Sequence, residues 1–180
     1  MKKSDQPLPV KLVTGLLYRE EEWLSRGLED LSTEFGRTDF VSNVIPFYYT
    51  DYYFREMGRP LFRKFVSFAD LIDAAQLMEI KVLTNSLEEK YRLASGGARV
   101  LNIDPGYLNA TAYILATSKN YSHRIYLGQG VFAQQELLFE KNRIQTLDWT
   151  YPDYRTVEYQ DILRKIKEIY SKQIKNLQKS

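Results

Sequence analysis

The stretch "LNIDPGYLNATAYILATSKNYSHRIYL", residues 101–127, holds the chain's one histidine within a few residues of a lysine, an arginine and an aspartate. Whether it is extended or helical decides the fold class. Short segments rich in β-branched and aromatic residues, separated by turn-forming residues, read as strands: Arg99 to Ile103, Tyr113 to Thr117 and Arg124 to Leu127. Pro105-Gly106 suits the central pair of a type II turn that closes the first of them. Alternation puts Asn102 and Asp104 on one side of that strand with Val100, so Asp104 is expected at a strand end, where a rigid scaffold presents functional side chains.

The same reading extends outward. Toward the N-terminus, Val10 to Tyr18 is a compact apolar run suited to a buried strand. Glu20-Glu21-Glu22 favours the start of a helix, Leu24, Leu28, Leu31 and Phe35 recur at helical spacing, and Gly36 ends it. Phe40 to Phe47 reads as a second strand and Leu61 to Phe68 as a third. In the third, Phe62, Lys64, Val66 and Phe68 alternate with Leu61, Arg63, Phe65 and Ser67. The aromatic segment "YYTDYYFREMG" between them reads as a loop. Leu77, Ile80, Thr84, Leu87 and Tyr91 mark a second helix, closed by Gly96-Gly97.

Toward the C-terminus, Val131 to Glu140 turns at Lys141-Asn142 into Ile144 to Leu147. A stripe from Tyr159 to Ile174, capped by Thr156, forms a last helix. The fold class is therefore α+β with a mainly antiparallel sheet. The order strand, helix, strand, strand, helix, strand is that of a ferredoxin-like β-α-β-β-α-β core, extended by a hairpin and a C-terminal helix. One domain over 8–175 is expected, with mobile ends at 1–7 and 176–180.

Composition removes several function classes. Hydrophobic residues are 44% and charged ones 27%, with a net charge of +2 from 25 basic and 23 acidic side chains. No global field points to nucleic acid or an anionic membrane, so any such binding would rest on a local patch. Without cysteine there is no disulfide, thiolate metal site or cysteine nucleophile, and one histidine does not build a multi-histidine zinc site. The N-terminal charges lack an apolar signal region behind them, and no run approaches the ~18 apolar residues of a membrane span. The expectation is a cytoplasmic protein.

Lys119, His123 and Arg124 form a set suited to phosphate or carboxylate: Arg124 a bidentate fork, Lys119 a point charge, His123 a proton donor or acceptor. Thr50, Tyr53 and Glu56 in the aromatic segment bring hydroxyls and a carboxylate, and its rings beside Arg55, Arg59 and Arg63 suit stacking on a base. On the second helix Lys81, Asn85, Glu88 and Arg92 follow i, i+4, i+7, i+11 along one polar edge. "DWTYPDYRT", residues 148–156, offers three aromatics and two carboxylates as a wall or lid. A Mg²⁺ site from Asp104 with Glu56 or Glu136 is chemically admissible, since Mg²⁺ needs only one or two carboxylates. There is no G-x-x-x-x-G-K-[ST], G-x-G-x-x-G, H-E-x-x-H or G-x-S-x-G motif.

The strings "VKLVTG", "FGRTDFVS", "YYTDYYFREMG", "EIKVLTNSLE", "VLNIDPGYL", "ILATSK", "HRIYLGQGVFAQ" and "WTYPDYR", in this order, resemble a bacterial family carried as domain of unknown function 4416 over about Val10 to Arg155. Some of its members carry the label GTP-binding protein, although the phosphate loop and base-recognition motif of ordinary GTPases are missing from this chain. The polar positions matching that family's motifs are Thr50, Tyr53, Glu56, Lys81, Asn85, Glu88, Asn102, Asp104, Tyr107, Lys119, His123 and Arg124. The expectation is a polar cleft at strand ends for a phosphorylated small molecule or nucleotide. His123 and Asp104 would serve any catalysis, and Thr50, Tyr53, Glu56, Lys81, Asn85, Asn102, Tyr107, Lys119 and Arg124 would bind. The rival is a non-catalytic module that binds RNA, or a protein partner including a second copy, through its tyrosines and arginines.

Overall fold

A computed structural model describes residues 7–141 and 143–179. In chain order the elements are β1 (Val10–Tyr18), α1 (Glu21–Phe35), β2 (Thr38–Val41), β3 (Ile45–Phe47), α2 (Asp51–Met57), β4 (Leu61–Ile72) and α3 (Leu77–Ala94). They continue with β5 (Leu101–Leu108), β6 (Ala112–Thr117), β7 (Ile125–Gly128), β8 (Val131–Phe139), β9 (Ile144–Thr146) and α4 (Val157–Leu177). Single 3₁₀ turns precede α3 and α4. Residues 1–6 and 180 of the ends expected to be mobile, and Asn142 of the expected turn, lie outside the described residues.

The protein is α+β. One open antiparallel sheet runs β2-β4-β1-β5-β6-β8-β7, with β3 added to β4 and β9 to β8. Every residue of β1 is buried, Lys11 and Thr14 included, as in a strand covered on both faces. Leu12, Leu16 and Tyr18 pack with Trp23, Leu24 and Leu31 of α1 and Ile80 and Tyr91 of α3. Val13, on the opposite face, packs with Phe65, Tyr113 and Leu137 and with Tyr159, Leu163 and Ile166 of α4. The alternation in β4 sorts as its sequence indicates: Val66 and Phe68 go to the first cluster and Phe65 to the second.

Three expectations about local structure change. Pro105-Gly106 is not a turn: β5 pairs continuously with β1 from Tyr18↔Leu101 to Lys11↔Leu108. The chain reverses instead at Asn109, whose side chain accepts from the backbone of Thr111 and Ala112. Gly106 is needed because a Cβ there would sit 2.5 Å from the Ile114 carbonyl oxygen, where β5 and β6 come together. The aromatic "loop" contains α2, seven residues long, with the Thr50 hydroxyl capping Tyr52 N–H at 3.2 Å and Gly58 at φ 79° ending it. Phe40 to Phe47 is two strands: Ser42 interrupts it by accepting from the Phe65 N–H through its hydroxyl at 2.9 Å.

The placement of the site depends on where the β5–β6 ladder stops. These strands pair only from Gly106↔Leu115 to Leu108↔Tyr113. Beyond that, residues 101–105 stay with β1 while Ala116 and Thr117 stay with β8, so the sheet opens as a wedge. Two α3 side chains replace the missing partner strand: Lys81 Nζ donates to the Ile103 carbonyl at 2.9 Å, and Glu88 accepts from the Ile103 N–H at 2.8 Å. Pro105, two residues on, has its nitrogen directed to the same side, where a missing N–H leaves no ladder bond broken.

Candidate functional site

A cavity of about 430 Å³ occupies this wedge on the face that carries α4. Arg63 from β4, Asn102 and Asp104 from β5, Leu115 and Thr117 from β6 and Gln134 from β8 line its sheet side. Phe47, Tyr49, Thr50, Tyr52 and Tyr53 form one wall and Tyr151 to Tyr154 another, while Lys81, Asn85, Arg99, Ser118 and Lys119 close the wedge end. A cavity of this size with aromatic walls and convergent polar groups has the form of a small-molecule site.

Arg63 is buried, 3% exposed, on the face of β4 that also carries Leu61, Phe65 and Ser67. Its Nη1 donates to Asp104 Oδ2 at 2.8 Å, its Nη2 lies 3.8 Å from Asp153 Oδ2, and its guanidinium lies 5.3 Å from the Phe47 ring centroid. Asn102 Nδ2 donates to the same Asp104 oxygen at 2.7 Å. Burial would raise the Asp104 carboxyl, but the charges of Arg63 and Lys81 and the bonds from Arg63 and Asn102 hold it below its ordinary value. At Asp153 burial prevails over Arg63 and raises the carboxyl. The Nε of Arg63 and the hydroxyls of Tyr113, Tyr154 and Tyr159 are buried with no hydrogen bond of ordinary geometry, although Arg63 lies close enough for its charge to act on Tyr159.

At the wedge end charge is shared more evenly. Arg99 donates to Glu88 and to Glu56, each at 2.8 Å, and also bonds Asn102 Oδ1. Lys81 Nζ lies 4.0 Å from Glu88, whose carboxyl is raised by burial against the pull of Lys81 and Arg99. Lys119 differs. Its ammonium sits 4.0 Å from the Tyr52 ring centroid with no carboxylate partner among the described residues.

Gln134 is pinned from three sides. Its Oε1 accepts from Arg124 Nε at 2.7 Å and meets His123 Nε2 at 3.0 Å, and its amide nitrogen donates to Glu136. With both amide atoms so assigned, the His123 proton sits on Nε2. Glu136, fully buried, also accepts from Tyr151 N–H at 2.6 Å, and burial pushes its carboxyl up to about 7. Arg124 further donates to the Lys119 carbonyl and the Tyr151 hydroxyl, both at 2.7 Å.

Of the residues expected from sequence, Thr50, Tyr53, Lys81, Asn85, Asn102, Asp104 and Lys119 meet at the cavity. His123 and Arg124 stand behind Gln134 and do not line it; the His123 ring stacks on Trp149 at 4.9 Å and 9°. Glu56 belongs to an adjoining depression, held by Arg99. Tyr107 lies on the opposite face against Leu77, Ala116 and Val131. The arginines expected to gather round a base do not: Arg59 stacks over Phe54 at 3.8 Å and pairs with Asp51, while Arg63 lies on the cavity floor. Sequence reasoning gave no site role to Arg99 or Gln134, whereas Asp153 fell within the stretch 148–156 offered as a wall or lid and lines the cavity. Arg63 did carry a signal, a charge between Leu61 and Phe65 on one face of β4, which in a buried strand implies a partner.

Among the described residues no cluster of three or more His, Cys, Asp or Glu side chains could hold a metal ion. Asp104, Glu56 and Glu136 are bonded to Arg63, Arg99 and Gln134 respectively rather than to one another. No described helix is long and apolar enough to cross a membrane. No curated protein and no solved structure matches the chain. A family model described as "Domain of unknown function (DUF4416)" matches residues 8–170, and the chain belongs to that family.

Proposed function

We propose that this member of the DUF4416 family binds a phosphorylated small molecule in the wedge between β5 and β6. The carrying observation is Lys119: it lies at the mouth of an enclosed, aromatic-walled cavity with no carboxylate to neutralise it, while Arg63, Lys81 and Arg99 are all balanced by acidic partners. An uncommitted ammonium beside the hydroxyls of Thr117 and Ser118 suits a phosphate as a point charge and two donors. His123 and Arg124 act indirectly in this reading, by fixing Gln134, Tyr151 and the Lys119 carbonyl. The partial order β2-β4-β1-β5, with α1 and α3 between strands, supports a ferredoxin-like reading of that half of the sheet. The lack of cysteine is in keeping with a cytoplasmic setting.

The test is a thermal-shift screen against sugar phosphates, nucleotides, pyrophosphate and short RNAs, repeated on Lys119→Ala. A ligand at a hundred times its dissociation constant stabilises the fold by about 2.7 kcal/mol, a shift of several degrees for a chain of this size. Stabilisation by small phosphates that is lost in the variant is the expected result. Stabilisation by RNA alone, or small-phosphate hits unaffected by the variant, would refute it.

A further inference from the structure

The cavity is electrically polarised along its depth, and that polarity narrows the ligand. At the floor one guanidinium, Arg63, is shared by two carboxylates, Asp104 and Asp153. Asp104 takes both its bonds, from Arg63 and Asn102, on Oδ2. Its Oδ1 has no protein donor among the described residues, and its side chain keeps 24% of its surface exposed, toward the cavity it lines. The neighbouring Gln134 amide is already bonded to Arg124, His123 and Glu136 and offers little to a ligand. At the mouth the polarity reverses, with the ammonium of Lys119 over Tyr52.

We infer that the ligand is a sugar or polyol phosphate, seated with hydroxyl groups on Asp104 Oδ1 and its phosphate at Lys119. This rests on the phosphate reading above. An ionised carboxylate accepts hydrogen bonds from hydroxyls and repels a phosphate, so the anionic end cannot be the inner one. A carboxylate held ionised by Arg63 and Lys81 makes a charge-assisted bond to a hydroxyl, stronger than a neutral pair would. Between the two ends Tyr53 and Tyr151 supply apolar ring faces for the carbon skeleton. The cavity of about 430 Å³ is large enough to take a sugar ring and a phosphate.

The experiment is calorimetric titration of the unmodified protein, at one pH and ionic strength, with ribose 5-phosphate, glucose 6-phosphate and fructose 6-phosphate, against butyl phosphate and inorganic phosphate. At least one sugar phosphate should bind about tenfold or more tightly than butyl phosphate, the worth of a hydrogen bond to a charged acceptor. In Asp104→Asn that advantage should shrink while butyl phosphate binding is kept; if the variant fails to fold, the ligand comparison on the unmodified protein decides alone. Butyl phosphate binding as tightly as every sugar phosphate would overturn the hydroxyl assignment and leave the phosphate site standing. Absence of binding by all five would overturn the phosphate reading, and this inference with it.

Discussion

Glu136 is fully buried beside Gln134 and the Tyr151 N–H, and burial pushes its carboxyl from the ordinary 4.5 up to about 7. The folded state thus holds a proton that the unfolded chain gives up at lower pH, so this group's contribution to stability is greatest below about 4.5 and falls as pH rises toward 7. Across that window this one group costs the fold about 3 kcal/mol. Denaturation of Glu136→Gln at several pH values should show a flatter decline than the unmodified protein; an equal slope would put the titrating group elsewhere. Legibility at this scale was uneven. Asp104 and Lys119 stood out because charged residues in a turn-rich segment are visible without a fold. The neighbours that hold them, Arg63 from 41 residues away and Gln134 pinned by Arg124, arise from pairing between distant segments. His123 drew attention as the one histidine, yet its bond to Gln134 and its stacking on Trp149 make it a support for the wall.

At the scale of elements, the wedge depends on α3 standing in for a strand. Lys81 and Glu88 are one helical face apart by two turns, and they satisfy the carbonyl and the N–H of Ile103 where β6 has moved away. Replacing Lys81 with Met leaves that buried carbonyl without a donor and Glu88 without a cation it faces. The fold should lose about 1–3 kcal/mol, read from the midpoint of urea denaturation; an unchanged midpoint would show that the wedge does not rely on this plug. The polar edge Lys81, Asn85, Glu88 and Arg92 was readable from helical spacing, but its target was not, because spacing says nothing about what an edge meets. Pro105-Gly106 misled for a related reason. The pair has turn chemistry, and only the register against β1, together with the loss of pairing to β6, makes it the interior of a strand. In α2, the cap at Thr50 and the stop at Gly58 were present in sequence but enclosed just seven residues, too few for periodicity to show.

At the scale of the whole molecule, the helices pack on one sheet, of which β1 could be recognised in advance as a buried inner strand: its nine residues leave no solvent face. The layering of α1 and α3 on one side and α4 on the other followed from amphipathic stripes finding apolar strand faces. What composition and pattern could not supply is the place where neighbouring strands part, a property of the full set of pairings. The candidate site lies there, and the central proposal is that phosphate enters at Lys119. The most direct measurement is an amide chemical-shift titration of the isotope-labelled protein with inorganic phosphate at constant ionic strength. The account predicts shifts concentrated at Thr117, Ser118, Lys119, Asn85 and Tyr52, around the mouth of the wedge. Shifts confined to the lysine-bearing surface of α4, or no shift at any concentration, would contradict it.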